Sequence, residues 1–101
     1  MLKEVDIEAF AAAREGGVLV LDVRETFEFA MGHVPGARSL PLGMLSGGLA
    51  ELPRDRAVMV ICASGNRSQV GAELLARAGF DAASVRGGTA AWSRSGRELT
   101  T

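Results

Sequence analysis

The sequence predicts an α/β domain, a mostly parallel sheet with helices on both faces. Two apolar runs and the amphipathic segments around them predict it. Val18-Leu19-Val20-Leu21 ends at Asp22, and Ala57-Val58-Met59-Val60-Ile61 ends at Cys62. Short continuous runs with β-branched content suit strands covered on both faces, as in parallel sheets. Alternation of such runs with helical segments is the pattern of helices layered on a sheet.

Taken in order, Asp6 is placed to cap a helix that runs to about Arg14, with Gly16-Gly17 stopping it. The run at 18–21 reads as a strand. Thr26 is expected to cap a short helix from Phe27 to Met31. A short strand is expected around Arg38-Ser39-Leu40, because Leu40 and Leu42 alternate with polar or proline neighbours. The run at 57–61 is the next strand. The clearest helix is Asn66 to Ala78. Val70, Leu74, Leu75 and Ala78 form its expected apolar stripe, Arg77 lies in its last turn and Gly79 follows as the stop. Ala83-Ser84-Val85 reads as the last strand. Thr89 to Arg94 reads as the last helix, with Trp92 facing inward.

The chain of 101 residues suits one domain, residues 1–101, and could not support a second core. Apolar residues make up 48% and charged residues 23%, the balance of an ordinary globular protein. A net charge of -1 gives no electrostatic footprint for nucleic acid and no polybasic membrane patch. Aromatic residues are only 5%, too few for base-stacking platforms. No apolar run approaches a membrane span, and the first residues do not resemble a signal peptide. Cys62 is the sole cysteine, so an intramolecular disulfide or dithiol mechanism is excluded and a cytoplasmic location is expected.

Ligands of parallel sheets bind at the carboxyl ends of strands. Three such ends carry chemistry here: Asp22 to Arg24, Cys62 to Arg67, and Arg86 to Gly88. Cys62 lies directly after a buried strand and just before a helix. In that position the loop amides can converge on the sulfur, and the helix N-terminus adds partial positive charge. Arg67 adds a full charge. All three favour a reactive thiolate over a thiol. Gly65 gives the bend its backbone freedom, and Ser64 and Ser68 can donate hydrogen bonds to the sulfur or to a bound anion. The competing reading, an inert cysteine buried as a small apolar residue, accounts for neither the glycine nor the arginine.

Cys62-Ala63-Ser64-Gly65-Asn66-Arg67-Ser68 resembles the active-site loop of the rhodanese sulfurtransferases, Cys-x-x-Gly-x-Arg-Ser. Three further segments match in order. Leu21-Asp22-Val23-Arg24-Glu25 resembles the family's second-strand signature. Gly32-His33-Val34-Pro35-Gly36-Ala37 resembles its loop before the third strand. Gly87-Gly88 with Trp92 and Gly96 resembles its C-terminal segment. The resemblance spans residues 3 to 99. It implies a rhodanese-like five-stranded parallel sheet and a ping-pong sulfur transfer. The Cys62 thiolate would take a sulfane sulfur from thiosulfate or a persulfide, hold it as a Cys62 persulfide, and pass it to a thiol, or to cyanide in an assay. The resemblance implies that the loop from Ala63 to Ser68 binds the substrate and the anionic persulfide. It implies no metal and no organic cofactor. Donor and acceptor would be small molecules or a partner protein. Many family members carry a basic residue where Ala63 stands, which implies that thiosulfate is usable but not optimal.

Other residues have plainer roles available. Arg67 either binds the donor or pairs with a carboxylate such as Asp22. Asp22 is expected to be structural, because a free carboxylate there would raise the thiol pKa. Arg24 is expected to pair with Glu25, Glu28 or another surface acid, the alternative being a rim position that guides anions. His33, the only histidine, is expected to make structural hydrogen bonds and not a Cys–His dyad. Met44 and Leu45 are expected in a helix or loop core, with a place on the pocket rim as the alternative, and Arg86 is expected in solvent. Two other functions compete. Cysteine-dependent phosphatases and arsenate reductases have a similar loop with Cys-x5-Arg, one residue longer than the Cys-x4-Arg here. A sulfur-relay or regulatory module docking to a larger enzyme would share this fold.

Overall fold

Both apolar runs form strands, and they lie side by side. In the computed structural model, which describes residues 3–101, β2 (Leu19–Asp22) pairs in parallel with β4 (Val58–Ile61), and Asp22 stands opposite Ile61. The sheet has five strands in the order β1-β5-β4-β2-β3, with every pair parallel. β1 is Glu4–Val5, β3 is Arg38–Ser39 and β5 is Ala82–Val85. β1 spans two residues at the sheet edge, Glu4 beside Ser84, and is too short to leave a periodic pattern in the sequence.

Side chains alternate across the strands and fill two cores. Leu19, Leu21, Val58 and Val60 pack on one face with Ala72 and Leu75 of α4 (Asn66–Arg77). Val20, Ile61 and Val85 pack on the other with Phe10 of α1 (Ile7–Glu15) and Trp92 of α5 (Gly88–Arg94). Burial on both faces is why the runs are continuously apolar. Asp6 caps α1 as expected, its carboxylate accepting from the Ala9 N–H at 2.8 Å. A chain of short helical turns, Leu42–Met44, α3 (Leu45–Gly48) and Leu49–Glu51, leads into β4. Within it Leu45 is fully buried in the core and Met44 is exposed. No helix among the described residues is long and apolar enough to cross a membrane.

Two local expectations are corrected. α2 covers Thr26–Ala30, and Glu25, not Thr26, is its N-cap; the Glu28 carboxylate reaches back to accept from the Glu25 N–H at 2.9 Å. Leu75 is buried and Leu74 and Ala78 pack against the core as expected, but Val70 is 58% exposed, and Ser68, Gly71 and Ala72 complete the buried face of α4. Small residues let the helix lie close to the sheet: a Cβ at Gly71 would come 3.2 Å from Val60 Cγ1.

The last helix holds the chain that follows β4. The Thr89 N–H and hydroxyl donate to the Cys62 carbonyl at 2.8 and 3.0 Å, and the Ala90 N–H donates to the Ala63 carbonyl at 3.0 Å. These are the first-turn groups a helix leaves without intrahelical partners. Approach this close needs glycine at the helix start. Gly88 has φ +56°, and a Cβ there would lie 2.3 Å from the Cys62 carbonyl oxygen. Gly88→Ala combines left-handed backbone strain with a clash against backbone that cannot yield, so it should destabilise by more than about 2 kcal/mol. Gly43 has open space around it, and Gly43→Ala should stay within about 0.5 kcal/mol of wild type. Urea denaturation of the two variants checks the contrast.

Candidate active site

Cys62 follows the last residue of β4, and its side chain is turned inward, leaving the residue 1% exposed. Gly65, at φ +108°, bends the chain so that α4 begins at Asn66. The sulfur then sits at the N-terminus of that helix and takes the place of a capping side chain. The Gly65 N–H donates to Sγ at 3.1 Å and the Ser68 N–H at 3.3 Å. The Ser68 hydroxyl lies 3.4 Å from Sγ and bonds to the Ser84 hydroxyl of β5 at 2.8 Å. Burial is the largest single influence on the thiol and pushes its pKa up. The Ser68 hydroxyl and the backbone N–H groups of Ser68, Gly65 and Ser64 pull it down, and together they prevail, so the thiol ionises below the usual cysteine value.

The rest of the loop is more open. Ser64 and Asn66 are exposed and Ala63 is half-buried. Arg67 does not pair with Asp22. Its guanidinium grips the Glu28 carboxylate of α2 in a two-pronged pair, at 2.7 and 3.0 Å. Arg67 holds the Glu28 pKa at about 2, and Glu28 in turn raises that of Arg67. Arg24 does not pair with a surface acid either. It turns back on Asp22, with Nη2–Oδ2 at 2.8 Å, and donates to the Gly32 carbonyl at 2.8 Å. Both residues of that pair are buried, so each charge needs the other, and they tie the end of β2 to the Gly32–Ala37 loop.

His33 lies in that same loop and forms no dyad with the cysteine. Its Nδ1 donates to the Phe29 carbonyl at 2.9 Å, its ring stacks on Phe29, and its backbone pairs with Thr100. Trp92 is buried against Phe10, and its indole N–H donates to the Glu98 carbonyl at 2.9 Å. Arg86 is exposed, with Glu4 at 3.4 Å. No group of three or more His, Cys, Asp or Glu side chains is gathered among the described residues. A hollow of about 530 Å³ lies at the far end of the sheet between α4 and the start of β5, lined by the Lys3–Asp81 and Glu73–Arg77 ion pairs.

Reading the sequence places Glu28 among the partners of Arg24, whereas it pairs with Arg67. Two further residues that build this site, Ser84 and Thr89, are not singled out by that reading. They gave no signal of their own. Ser84 reaches Ser68 from β5 and Thr89 reaches the Cys62 carbonyl from α5, placements that only the fold provides.

A family model described as the rhodanese-like domain matches residues 6–95. The chain belongs to that family. A protein of Allochromatium vinosum named sulfurtransferase is 35% identical over 99 residues, which cover 95% of this chain and 92% of that protein. The rhodanese-related protein of Thermoplasma volcanium superposes with a TM-score of 0.88 at 32% identity, covering 97% of each chain. A rhodanese-like domain protein of Staphylococcus aureus does so with a TM-score of 0.86 at 29% identity, covering 99% of this chain and 100% of that one. The five-stranded parallel sheet expected from the resemblance is thus the family's fold.

The Arg67–Glu28 pair has a pH signature. The folded-state pKa of Glu28 lies below its ordinary value of 4.5, so its contribution is complete above 4.5 and is lost as pH falls toward about 2. The Arg67 side chain is 36% exposed, so solvent screening reduces the contribution well below what the pKa alone implies. Glu28→Gln should therefore cost about 1 kcal/mol near neutral pH, with the gap to wild type closing as Glu28 protonates in the wild type. Denaturant titrations at neutral and acid pH measure it.

Proposed function

We propose that this rhodanese-like domain is a sulfurtransferase that moves a sulfane sulfur from a persulfide or thiosulfate donor to a thiol acceptor through a Cys62 persulfide. The observation that carries the reading is the bonding of Sγ, which accepts from the N–H groups of Gly65 and Ser68 at 3.1 and 3.3 Å. These donors favour an anionic sulfur without a neighbouring base. The Cys62 thiolate attacks the terminal sulfur of the donor. A bond between Sγ and that sulfur forms, and the donor's own bond to it breaks. With thiosulfate the leaving group is sulfite; with a persulfide it is a thiolate. An acceptor thiolate then attacks the outer sulfur, takes it as a new persulfide and frees Cys62 as thiolate. No net proton or electron is exchanged between enzyme and solvent.

Two features favour sulfur over a phosphoryl group. Cys62 is nearly buried, so a donor reaches it best with a single terminal atom. Arg67 is committed to Glu28 by two hydrogen bonds, which leaves it poorly placed to hold phosphoryl oxygens. The same pairing bears on the donor. With Arg67 neutralised and Ala63 uncharged, the doubly charged thiosulfate ion gains little attraction, and a singly charged persulfide is the better substrate. A thiol-bearing small molecule or a protein thiol serves as acceptor, and the chemistry suits a cytoplasmic setting where thiols stay reduced.

The test is intact mass after incubation with glutathione persulfide and, separately, with thiosulfate. Wild type should gain the mass of one sulfur atom, faster from the persulfide, and lose it to a reductant or an acceptor thiol. Cys62→Ser should show neither the gain nor turnover. Full transfer by Cys62→Ser would overturn the assignment. Aryl phosphate hydrolysis faster than sulfur transfer would establish the phosphatase reading instead.

A further inference from the structure

The Cys62 sulfur is the end of a buried chain of hydroxyls. Sγ lies 3.4 Å from Ser68 Oγ, and Ser68 Oγ lies 2.8 Å from Ser84 Oγ. Ser68 and Ser84 are both completely buried. Among the described residues the Ser84 hydroxyl has one hydrogen-bond partner, the Ser68 hydroxyl. Leaving a buried O–H without an acceptor is costly, so Ser84 is held as the donor and Ser68 Oγ as the acceptor. That direction leaves the Ser68 hydrogen a single outlet in the chain, which is the sulfur.

We infer that Ser84 is a positioning residue that aims the Ser68 hydroxyl at the Cys62 sulfur and so helps to keep that sulfur ionised. The thiolate completes the chain: Ser84 donates to Ser68, Ser68 donates to sulfur, and every hydrogen has an acceptor. The thiol does not: with Sγ–H donating to Ser68 Oγ and Ser68 donating to Ser84, the buried Ser84 hydrogen is left without an acceptor. Donation from Ser84 also polarises the Ser68 hydroxyl and strengthens its bond to the sulfur. Ser84 suppresses an alternative as well. A serine in a helix readily turns its hydroxyl onto the carbonyl of the preceding turn. The bond to Ser84 on the adjoining strand holds Ser68 in the rotamer that faces Cys62. The charged groups around these elements are engaged elsewhere: Arg67 with Glu28, Arg24 with Asp22, and Arg86 with Glu4. Neutral hydroxyls and amides are therefore the main groups that lower the sulfur's pKa, with the Arg67 charge a lesser influence.

This role deepens the sulfurtransferase reading but is tested without it, because alkylation of the sole cysteine reports its ionisation whether or not sulfur is transferred. The pH dependence of the iodoacetamide rate gives the apparent Cys62 pKa in wild type, Ser84→Ala, Ser84→Thr, Ser68→Ala and the double alanine variant. Ser84→Ala should raise it by about half a unit, a roughly three-fold loss of thiolate at a fixed pH below the pKa. Ser84→Thr keeps the hydroxyl and should stay near wild type. In the Ser68→Ala background, Ser84→Ala should add no further shift. An unchanged pKa in folded Ser84→Ala, an equal shift in both backgrounds, or a Ser84→Thr shift as large as that of alanine would overturn the role. Should Ser84→Ala fail to fold, the threonine variant still decides. A missing persulfide with these shifts intact would count against the proposed function alone.

Discussion

The site depends on where two carbonyls are sent. Those of Cys62 and Ala63 accept from the first turn of α5, through the Thr89 N–H and hydroxyl and the Ala90 N–H. Holding these carbonyls on α5 fixes the direction of the loop that follows. Gly65 then completes the bend with a positive φ, and the amides of Gly65 and Ser68 arrive at the sulfur. One helix N-terminus orients the loop from behind while another, that of α4, faces the sulfur. The paired glycines Gly87-Gly88 follow from this: a Cβ at Gly88 would occupy the space of the carbonyl that α5 must bind.

Charge is handled in a complementary way. Each arginine near the site has a carboxylate of its own, Arg24 in the buried pair with Asp22 and Arg67 in the partly exposed pair with Glu28. The Asp22 pair fixes the end of β2, and the Glu28 pair joins the starts of α2 and α4. Neither leaves a free carboxylate to oppose a thiolate. Ionisation of the sulfur is instead favoured by dipoles: the amides of Gly65, Ser68 and Ser64, the Ser68 hydroxyl and the Ser84 hydroxyl behind it. Fixed dipoles in a buried place lose little to solvent and need no rearrangement as charge moves onto or off the sulfur.

Much of this was legible in the sequence. Two apolar runs ending at Asp22 and Cys62 marked the central strands, and Cys62 with Gly65 and Ser68 marked the loop. What escaped has a physical reason. β1 is two residues long and borrows its order from β5, so it has no period of its own. The face of α4 was misjudged at Val70 because hydropathy favours valine inward, whereas the sulfur and a close-lying sheet require Ser68 and Gly71 there. The partners of Arg24 and Arg67 were exchanged because several carboxylates lay at plausible separations along the chain. Only the turn of β2 into α2 decides that Asp22 meets Arg24 and Glu28 meets Arg67. Ser84 and Thr89 lie on other elements and reach the cysteine through the fold alone.

The central claim is that the amides of Gly65 and Ser68 hold the ionised sulfur of Cys62. Amide proton and nitrogen chemical shifts followed through a pH titration test it directly. Both residues should report one shared transition below the usual cysteine pKa, and Cys62→Ser should abolish it at both. A Cys62 that ionises without moving either amide, or an amide transition that survives Cys62→Ser, would contradict the claim.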